Sequence, residues 1–410
     1  MAITDKEQGV WNLDEVYNKI NQGSIWEYTG IRNFFTWGDN NDGQLAINLP
    51  NNNDRSSPVQ VSGNTWASHY KGNMSNMATK TDGTLWSWGD NYNGQGALNL
   101  NSPNYSSPMQ IGADTTWSTN VNGKISSMTN YGLSSIKSDG TLWTWGGNYN
   151  GFLGLNQAGG SMAANAHSSP TQVGTETTWA ILADGGPYQE NGGVKTDGTI
   201  WIWGRNANGT SGQNSTSVAA YSSPVQVGTD TTWSTDAHKF VIAAYGSCQA
   251  IKTDGSLWTW GGNGYGGLGL NQGNTLKLSS PAQIPGTYKC VGGRWFQRNA
   301  IKTDGTLWSW GYNLKGSLGH NNKTNYSSPK QVGTDTSWSY CQCFDYGNGT
   351  GGMLAVKTDG TFWTWGNNEN GELGHNNTTD YSSPKQVPGT AWTGSTLTSA
   401  MQHNSCLQIQ

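Results

Sequence analysis

Three short markers each recur seven times, always in the same order, along a chain of 410 residues. Trp-Gly occurs at Trp37, Trp88, Trp145, Trp203, Trp260, Trp310 and Trp365. Ser-Ser-Pro ends at Pro58, Pro108, Pro170, Pro224, Pro281, Pro329 and Pro384. A third marker, mostly Thr-Thr-Trp, ends at Trp66, Trp117, Trp179, Trp233, Tyr288, Trp338 and Trp392. The Trp-Gly spacing runs from 50 to 58 residues. A period of that size marks an array of supersecondary units, none of which buries its own faces alone.

The local chemistry of a unit is that of strands. Asp-Gly follows a short β-forming run at Asp82, Asp139, Asp197, Asp254, Asp304 and Asp359. It predicts a tight hairpin of type I′, which needs positive φ. The next run, 306–310, alternates: Leu307 and Ser309 face one way, Trp308 and Trp310 the other. A Gly/Asn loop over 311–319, a Pro-led strand at 329–332 and a last short strand near Trp338 complete the unit. Four short strands in isolation expose two edges and cannot bury both faces. Radial stacking solves this, so the expected fold is all-β, a seven-bladed β-propeller of four-stranded blades. The first Trp-Gly strand, 34–37, has no hairpin before it, and residues 405–410 align with 247–252. The C-terminal strand is therefore expected to close the first blade. Two regions result: a leader over 1–30 and the propeller over 31–410.

Composition narrows the function classes. Net charge is −4, with 22 Lys+Arg against 26 Asp+Glu, so there is no bulk basic field for nucleic acid. The longest apolar run, 240–245, is far too short for a membrane-spanning helix. With 22 Trp, 17 Tyr and 7 Phe the chain is not of the disordered class. Cys248, Cys290, Cys341, Cys343 and Cys406 form no disulfide framework, and residues 1–9 lack the apolar core of a signal peptide. This fits free thiols in a chain made in a cytosol.

Several patterns invite a chemical reading. The Trp pairs Trp86/Trp88, Trp143/Trp145, Trp201/Trp203, Trp258/Trp260, Trp308/Trp310 and Trp363/Trp365 read either as sugar-stacking surfaces or as wedges between blades, and their repetition favours the wedge. Lys80, Lys137, Lys195, Lys252, Lys302 and Lys357 precede the hairpins, with Gln410 in the seventh place. They read as an anion-binding ring or as strand-end lysines, each beside its own turn Asp. Residues 262–267 match a dinucleotide fingerprint, but no helix signal follows. The loops 39–43 and 90–94 are similar to calcium loops without the alternating ligands or the closing Glu. No His has metal-ligand spacing, and Cys341 and Cys343 have no second pair to complete a zinc site. Nothing here predicts an enzyme, a cofactor or a metal. Only the longer inserts, 157–167, 207–220 and 344–352, depart enough from the repeat to hold a private site.

The string over 302–319, Lys-Thr-Asp-Gly-Thr-Leu-Trp-Ser-Trp-Gly-x-Asn-x-x-Gly-x-Leu-Gly, followed by Ser-Ser-Pro-x-Gln-Val at 327–332, resembles the repeat of the regulator of chromosome condensation family. The resemblance covers 31–410 and implies that family's seven-bladed propeller. It leaves function open, because the repeat serves exchange factors, ubiquitin ligases and many bacterial and phage proteins. The family's His before the hairpin strand is missing from all six internal units, and only His403 lies near that place.

The leader carries a different signal. Leu13, Val16, Tyr17 and Ile20 fall on one helical face, Asn12 is placed to cap it, and Trp11 and Trp26 flank it. Two turns of helix need something to dock on. The stretch 5–26 resembles the leaders of tailed-phage virion proteins. The expectation is a non-enzymatic virion component, a tail fibre, neck or capsid appendage made in the host cytoplasm. It would be held to other virion proteins through Trp11, Leu13, Val16, Tyr17, Ile20 and Trp26, its propeller loops meeting a host glycan or protein. A bacterial carbohydrate-binding adhesin or lectin is the alternative, followed by a nucleotide-exchange-factor-like regulator. The repeat markers absorb 19 of the 22 Trp, leaving Trp11, Trp26 and Trp295.

Overall fold

A computed structural model describes residues 32–409, apart from 50–52, 72–74, 100–102, 120–124, 129–131, 158–164, 184–188, 237, 244–245, 345–349, 389–391 and 400–402. The expected leader helix, with its six docking residues, lies outside the described residues. The chain divides into two units, Met1–Ile31 with Gln410, and Arg32–Ile409. The second is an all-β propeller, and among the described residues it holds no α-helix.

Each repeat lays down antiparallel strands in a fixed order. In the sixth, an edge strand ending at Arg294 pairs with the hairpin strand Gln297–Lys302, which pairs with the Trp-Gly strand Leu307–Gly311. The Pro-led strand Tyr326–Gln331 completes the sheet. Among the described residues five of the sheets have four strands, and one has seven. The large one arises because Lys277–Arg294 runs through as one strand, pairing first with Ser256–Gly262 and then with Gln297–Lys302. The cause is a short linker: three residues separate Ile284 from Tyr288, against five between Ile111 and Trp117. The sheet at the chain ends joins Arg32–Gly38 to Arg55–Val61 on one side and to His403–Ile409 on the other.

The Asp-Gly turn differs from the type I′ expectation. The Lys80 N–H bonds the Thr84 carbonyl and the Gly83 N–H bonds the Lys80 carbonyl, so three residues make the loop. Gly83 alone has positive φ, 79°. This is a type I turn closed by a left-handed glycine. A Cβ at Gly83 would also meet the Thr115 carbonyl oxygen at 2.0 Å, so the glycine lets the turn touch the next repeat. The Asp has another task. Asp82 Oδ1 accepts the N–H and the hydroxyl of Thr84, and Thr84 Oγ1 accepts the indole N–H of Trp86. The same relay runs through residues 139/141/143, 197/199/201, 254/256/258, 304/306/308 and 359/361/363.

The core lies in the seams between sheets. Trp145, for instance, packs among Met77, Leu85, Ile111 and Leu133, which come from two repeats. The second Trp of each pair is buried, and six of them donate their indole N–H to a backbone carbonyl of the preceding repeat. The acceptors are Gln44, Gln95, Phe152, Thr210 and Gly267 for Trp88, Trp145, Trp203, Trp260 and Trp310, while Trp37 reaches Glu372. A second stitch joins the N–H of Asn48, Asn99, Asn156, Asn214, Asn271 and Asn321 to a Ser carbonyl of the following repeat. Asn376 bonds Ser56 in the same way, so the last repeat meets the first. A buried indole with its N–H satisfied combines large apolar burial with no polar penalty.

Candidate functional site

The two ends of the sheets are chemically distinct. One carries the Asp-Gly turns, and the other carries the Gly/Asn loops that follow each Trp-Gly strand. Those loops are held by one buried amide. The Oδ1 of Asn40, Asn91, Asn148, Asn206, Asn263, Asn313 and Asn368 accepts the backbone N–H five residues on, in every repeat. The sequence displayed this Asn seven times, but a loop Asn is ordinary enough to pass unnoticed. Residues 264–266 form a single 3-10 turn with no helix after it, so the dinucleotide motif has no helix N-terminus to bind phosphate. The calcium-like loops are also spent internally. Asp39 accepts the amides of Asn41 and Gln44, and Asp90 accepts that of Gln95. Burial, then the neighbouring Asp54 and Asp42, push the Asp39 carboxyl up to about 6. Among the described residues no cluster of three metal-ligating side chains occurs.

One group at this end is not explained by the repeat. Tyr265, Phe296, Tyr312 and Trp295 form a continuous aromatic cluster. Ring centroids lie 4.8 Å apart for Tyr265–Phe296, 4.4 Å for Tyr265–Tyr312 and 5.9 Å for Trp295–Phe296. Tyr265 is 40% exposed, and Tyr92 and Leu314 are exposed on loops of the same kind. Trp295 turns the chain between strands at φ 47°, an uncommon conformation for a bulky residue. Gly264 makes room, since a Cβ there would meet the Phe296 ring at 2.4 Å. Beneath the cluster lies Arg298, 1% exposed. Its Nη1 donates to the Trp295 and Gln297 carbonyls at 2.8 and 2.7 Å, and its Nη2 to the Ser247 hydroxyl. Burial lowers its pKa to about 10, so the guanidinium keeps its charge at neutral pH and clamps the turn.

The opposite end bears the six lysines. Each ammonium lies over two aromatic rings of its own sheet; Lys137, for example, is 4.0 Å from the Trp143 centroid and 4.9 Å from that of Trp117. Contrary to the expected pairing, the ion-pair partner is not the turn Asp. Lys137, Lys195, Lys252 and Lys357 bind Asp114, Glu176, Asp230 and Asp335, which come from the linker before the third marker. The Lys357 ammonium, then the Ser337 hydroxyl and N–H, hold the Asp335 carboxyl down to about 2.

The remaining candidates are structural. The Nε2 atoms of His320 and His375 sit 3.0 Å from the Ser309 and Thr364 hydroxyls, and burial, then Lys330 and Lys385, push both rings down to about 4. Cys248, Cys290, Cys341 and Cys343 are buried free thiols. Cys341 Sγ lies 3.8 Å from Cys290 Sγ of the neighbouring sheet. Of the inserts, 207–220 is fully described, while the other two fall partly outside the described residues.

These features define an RCC1-like β-propeller. Residues 304–344 and 359–395 match the model of the regulator of chromosome condensation (RCC1) repeat, so two of the repeats carry that family's pattern directly. No curated protein matches the chain by sequence. Among solved structures the propeller is similar to Prp20p from Saccharomyces cerevisiae, described with its binding properties to Gsp1p and histones: TM-score 0.74, 16% identity, covering 93% of this chain and 92% of that one. Human WBSCR16 aligns with TM-score 0.76 and 17% identity over 92% of this chain and all of the other. Yeast RCC1 (Prp20) bound to Kap60 aligns with TM-score 0.72 and 15% identity over 94% and 91%. At such identities the likeness is one of fold.

Proposed function

We propose that the protein is a non-enzymatic binding propeller of seven blades, with the long strand Lys277–Arg294 shared by two of them. Its contact surface is the loop end centred on Tyr265, Phe296, Tyr312 and Trp295. One observation carries this reading: the repeated polar and aromatic side chains are consumed in stitching sheets together, while this cluster departs from the repeat and reaches the surface. Aromatic faces rimmed by Asn and Gly suit both protein contacts and sugar stacking. Protein ligands gain support from the yeast neighbours, described as binding Gsp1p, histones and Kap60.

Within this class we place the protein on a tailed-phage particle, because residues 5–26 resemble virion leaders. Many copies on one particle would turn weak loop contacts into avidity. Mass spectrometry of purified particles tests the location, and absence of the protein from them refutes it. A sugar array with the native protein and Tyr265→Ala separates the ligand classes. Glycan binding lost in the variant favours the lectin reading, and no glycan signal favours a protein ligand.

A further inference from the structure

The lysine modules form a comparison within one chain. In four of them a linker carboxylate caps the ammonium. The lysine side chains there are only 6 to 15% exposed, whereas the acids are 33 to 53% exposed. The seat of the carboxylate therefore opens to solvent. Its other side is built by the residue just before the marker Trp: the Thr116 N–H and hydroxyl both donate to Asp114 Oδ1, at 2.8 and 2.7 Å.

At Lys80 the receptor half is intact and the acid is missing. The ammonium lies 3.7 Å from the Trp86 centroid and 5.2 Å from that of Trp66, close to the 3.7 and 5.1 Å at Lys195. Thr65 stands where Thr116 stands: its carbonyl accepts the Thr81 N–H at 2.8 Å, as Thr116 accepts that of Ser138 at 2.9 Å. The linker, however, is Ser62-Gly63-Asn64-Thr65, one residue shorter than 112–116 and without an acid. A Cβ on Gly63 would meet nothing nearer than the Trp66 indole, at 3.3 Å. Among the described residues no carboxylate is paired with Lys80. Lys302 also lacks an acid, but there the linker crosses it: a Cβ on Gly286 would meet Lys302 Cε at 3.2 Å, and Thr287 is bonded to Thr303. Lys80 is thus the open seat.

We propose that Lys80, walled by Trp66 and Trp86 and flanked by Thr65, is a binding site for a carboxylate supplied in trans. Its chemistry is that of an acidic side chain of a partner or a small organic acid. An ammonium half-buried against two indoles gains more from a carboxylate than a fully exposed lysine does. The site lies at the hairpin end of the sheets and does not depend on the aromatic cluster at the loop end.

The test is a titration of the full chain with acetate, and separately with acetyl-triglutamate-amide, followed by NMR of the lysine side chains. Sodium chloride at equal ionic strength is the control. Lys80 is expected to shift saturably, while Lys137, Lys195, Lys252 and Lys357 stay still. Grafting the linker 112–116 between Val61 and Trp66 installs an internal Asp, keeps the sibling geometry and should weaken binding by about tenfold or more. A response to acetate alone identifies a small-acid site, and a response to the peptide identifies a seat for a protein segment. Equal shifts at all five lysines, equal shifts with chloride, or an unchanged response in the graft would overturn the proposal.

Discussion

Glu372 should make the stability of the propeller fall as pH rises, and Glu372→Gln should remove that fall. The residue sits in the seam where the last repeat meets the first, 1% exposed, with its carbonyl on the Trp37 indole. At the same loop place Gln44 donates to Asp39 Oδ2 and accepts the Asp42 N–H, and Gln95 treats Asp90 and Asn93 alike. In the last repeat the polarity is exchanged: Glu372 accepts the Asn370 N–H, and Asn367 stands where Asp39 stands, its buried Oδ1 without a donor. Burial, then Glu369 and Asp39, push the Glu372 carboxyl from its ordinary 4.5 up to about 8. The folded state therefore holds a proton that the unfolded chain releases. This contribution is fully present below pH 4.5 and is lost as pH rises toward 8.

At about 1.4 kcal/mol per tenfold change in proton affinity, the loss is on the order of 5 kcal/mol. Urea unfolding of native protein and Glu372→Gln near pH 5 and near pH 9 reads it directly. The two should be similar at the lower pH, and the variant should be the more stable by several kcal/mol at the higher. Glu190, which burial also raises to about 8, gives a slope of the same sign. His320 and His375, lowered to about 4, give the opposite one, with stability lost as pH falls from 6.5. All three remain in both proteins, so the difference isolates Glu372. Identical pH dependence in the two proteins would refute the argument.

Thr306→Val breaks one Asp-Thr-Trp relay while keeping the shape of the side chain. It should cost about 1 kcal/mol in denaturant unfolding, because the Trp308 N–H and Asp304 each lose a partner. Removing 403–410 strips the strand that lies between Arg32–Gly38 and Trp392–Ser399. It should abolish the single cooperative melting transition, and a truncated chain that melts like the full one would argue against closure by the C-terminus.

The sheet architecture was legible because its markers fall where the chain can least vary. Trp at two alternate strand positions and Gly after them fix a face and a bend, and seven copies exclude coincidence. The partner strand for Phe34–Trp37 was legible too, since 405–410 lacked a hairpin of its own. What escaped was the part that depends on neighbours. Asp-Gly suggested a two-residue turn, but the residue before it joins the loop, and the Thr after it is the middle link of a hydrogen-bonded relay. Each lysine was matched to the nearest acid in sequence. For four of the six the real partner lies some twenty residues earlier, as Asp114 does from Lys137, and is reached only through the pairing of adjacent strands. Trp295 stood out as a Trp that the repeat did not need. Nothing in the sequence foretold its φ, the arginine clamp below it or the three rings that join it.

The loop end also follows from how the repeat is constrained. The second residue of each loop is the buried Asn and the fifth is Gly, so both are fixed by structure. The third, between them, is Asn41, Tyr92, Tyr149, Ala207, Gly264, Leu314 and Glu369 in turn, a set with no common chemistry. Such freedom beside such constancy within one chain means that the framework places no common demand on these positions. Tyr92, at 77% exposed, and Leu314, at 49%, are large apolar groups held in water at that very place. Their burial by a partner would be favourable, whereas their exposure gives the propeller nothing. At the hairpin end the turn side chains are locked into relays, and four of the six lysines into ion pairs; among the described residues Lys80 has neither an acid nor a linker across it. The departures from the repeat that reach solvent therefore fall on the two ends of the sheets, where the strands end and a partner can reach.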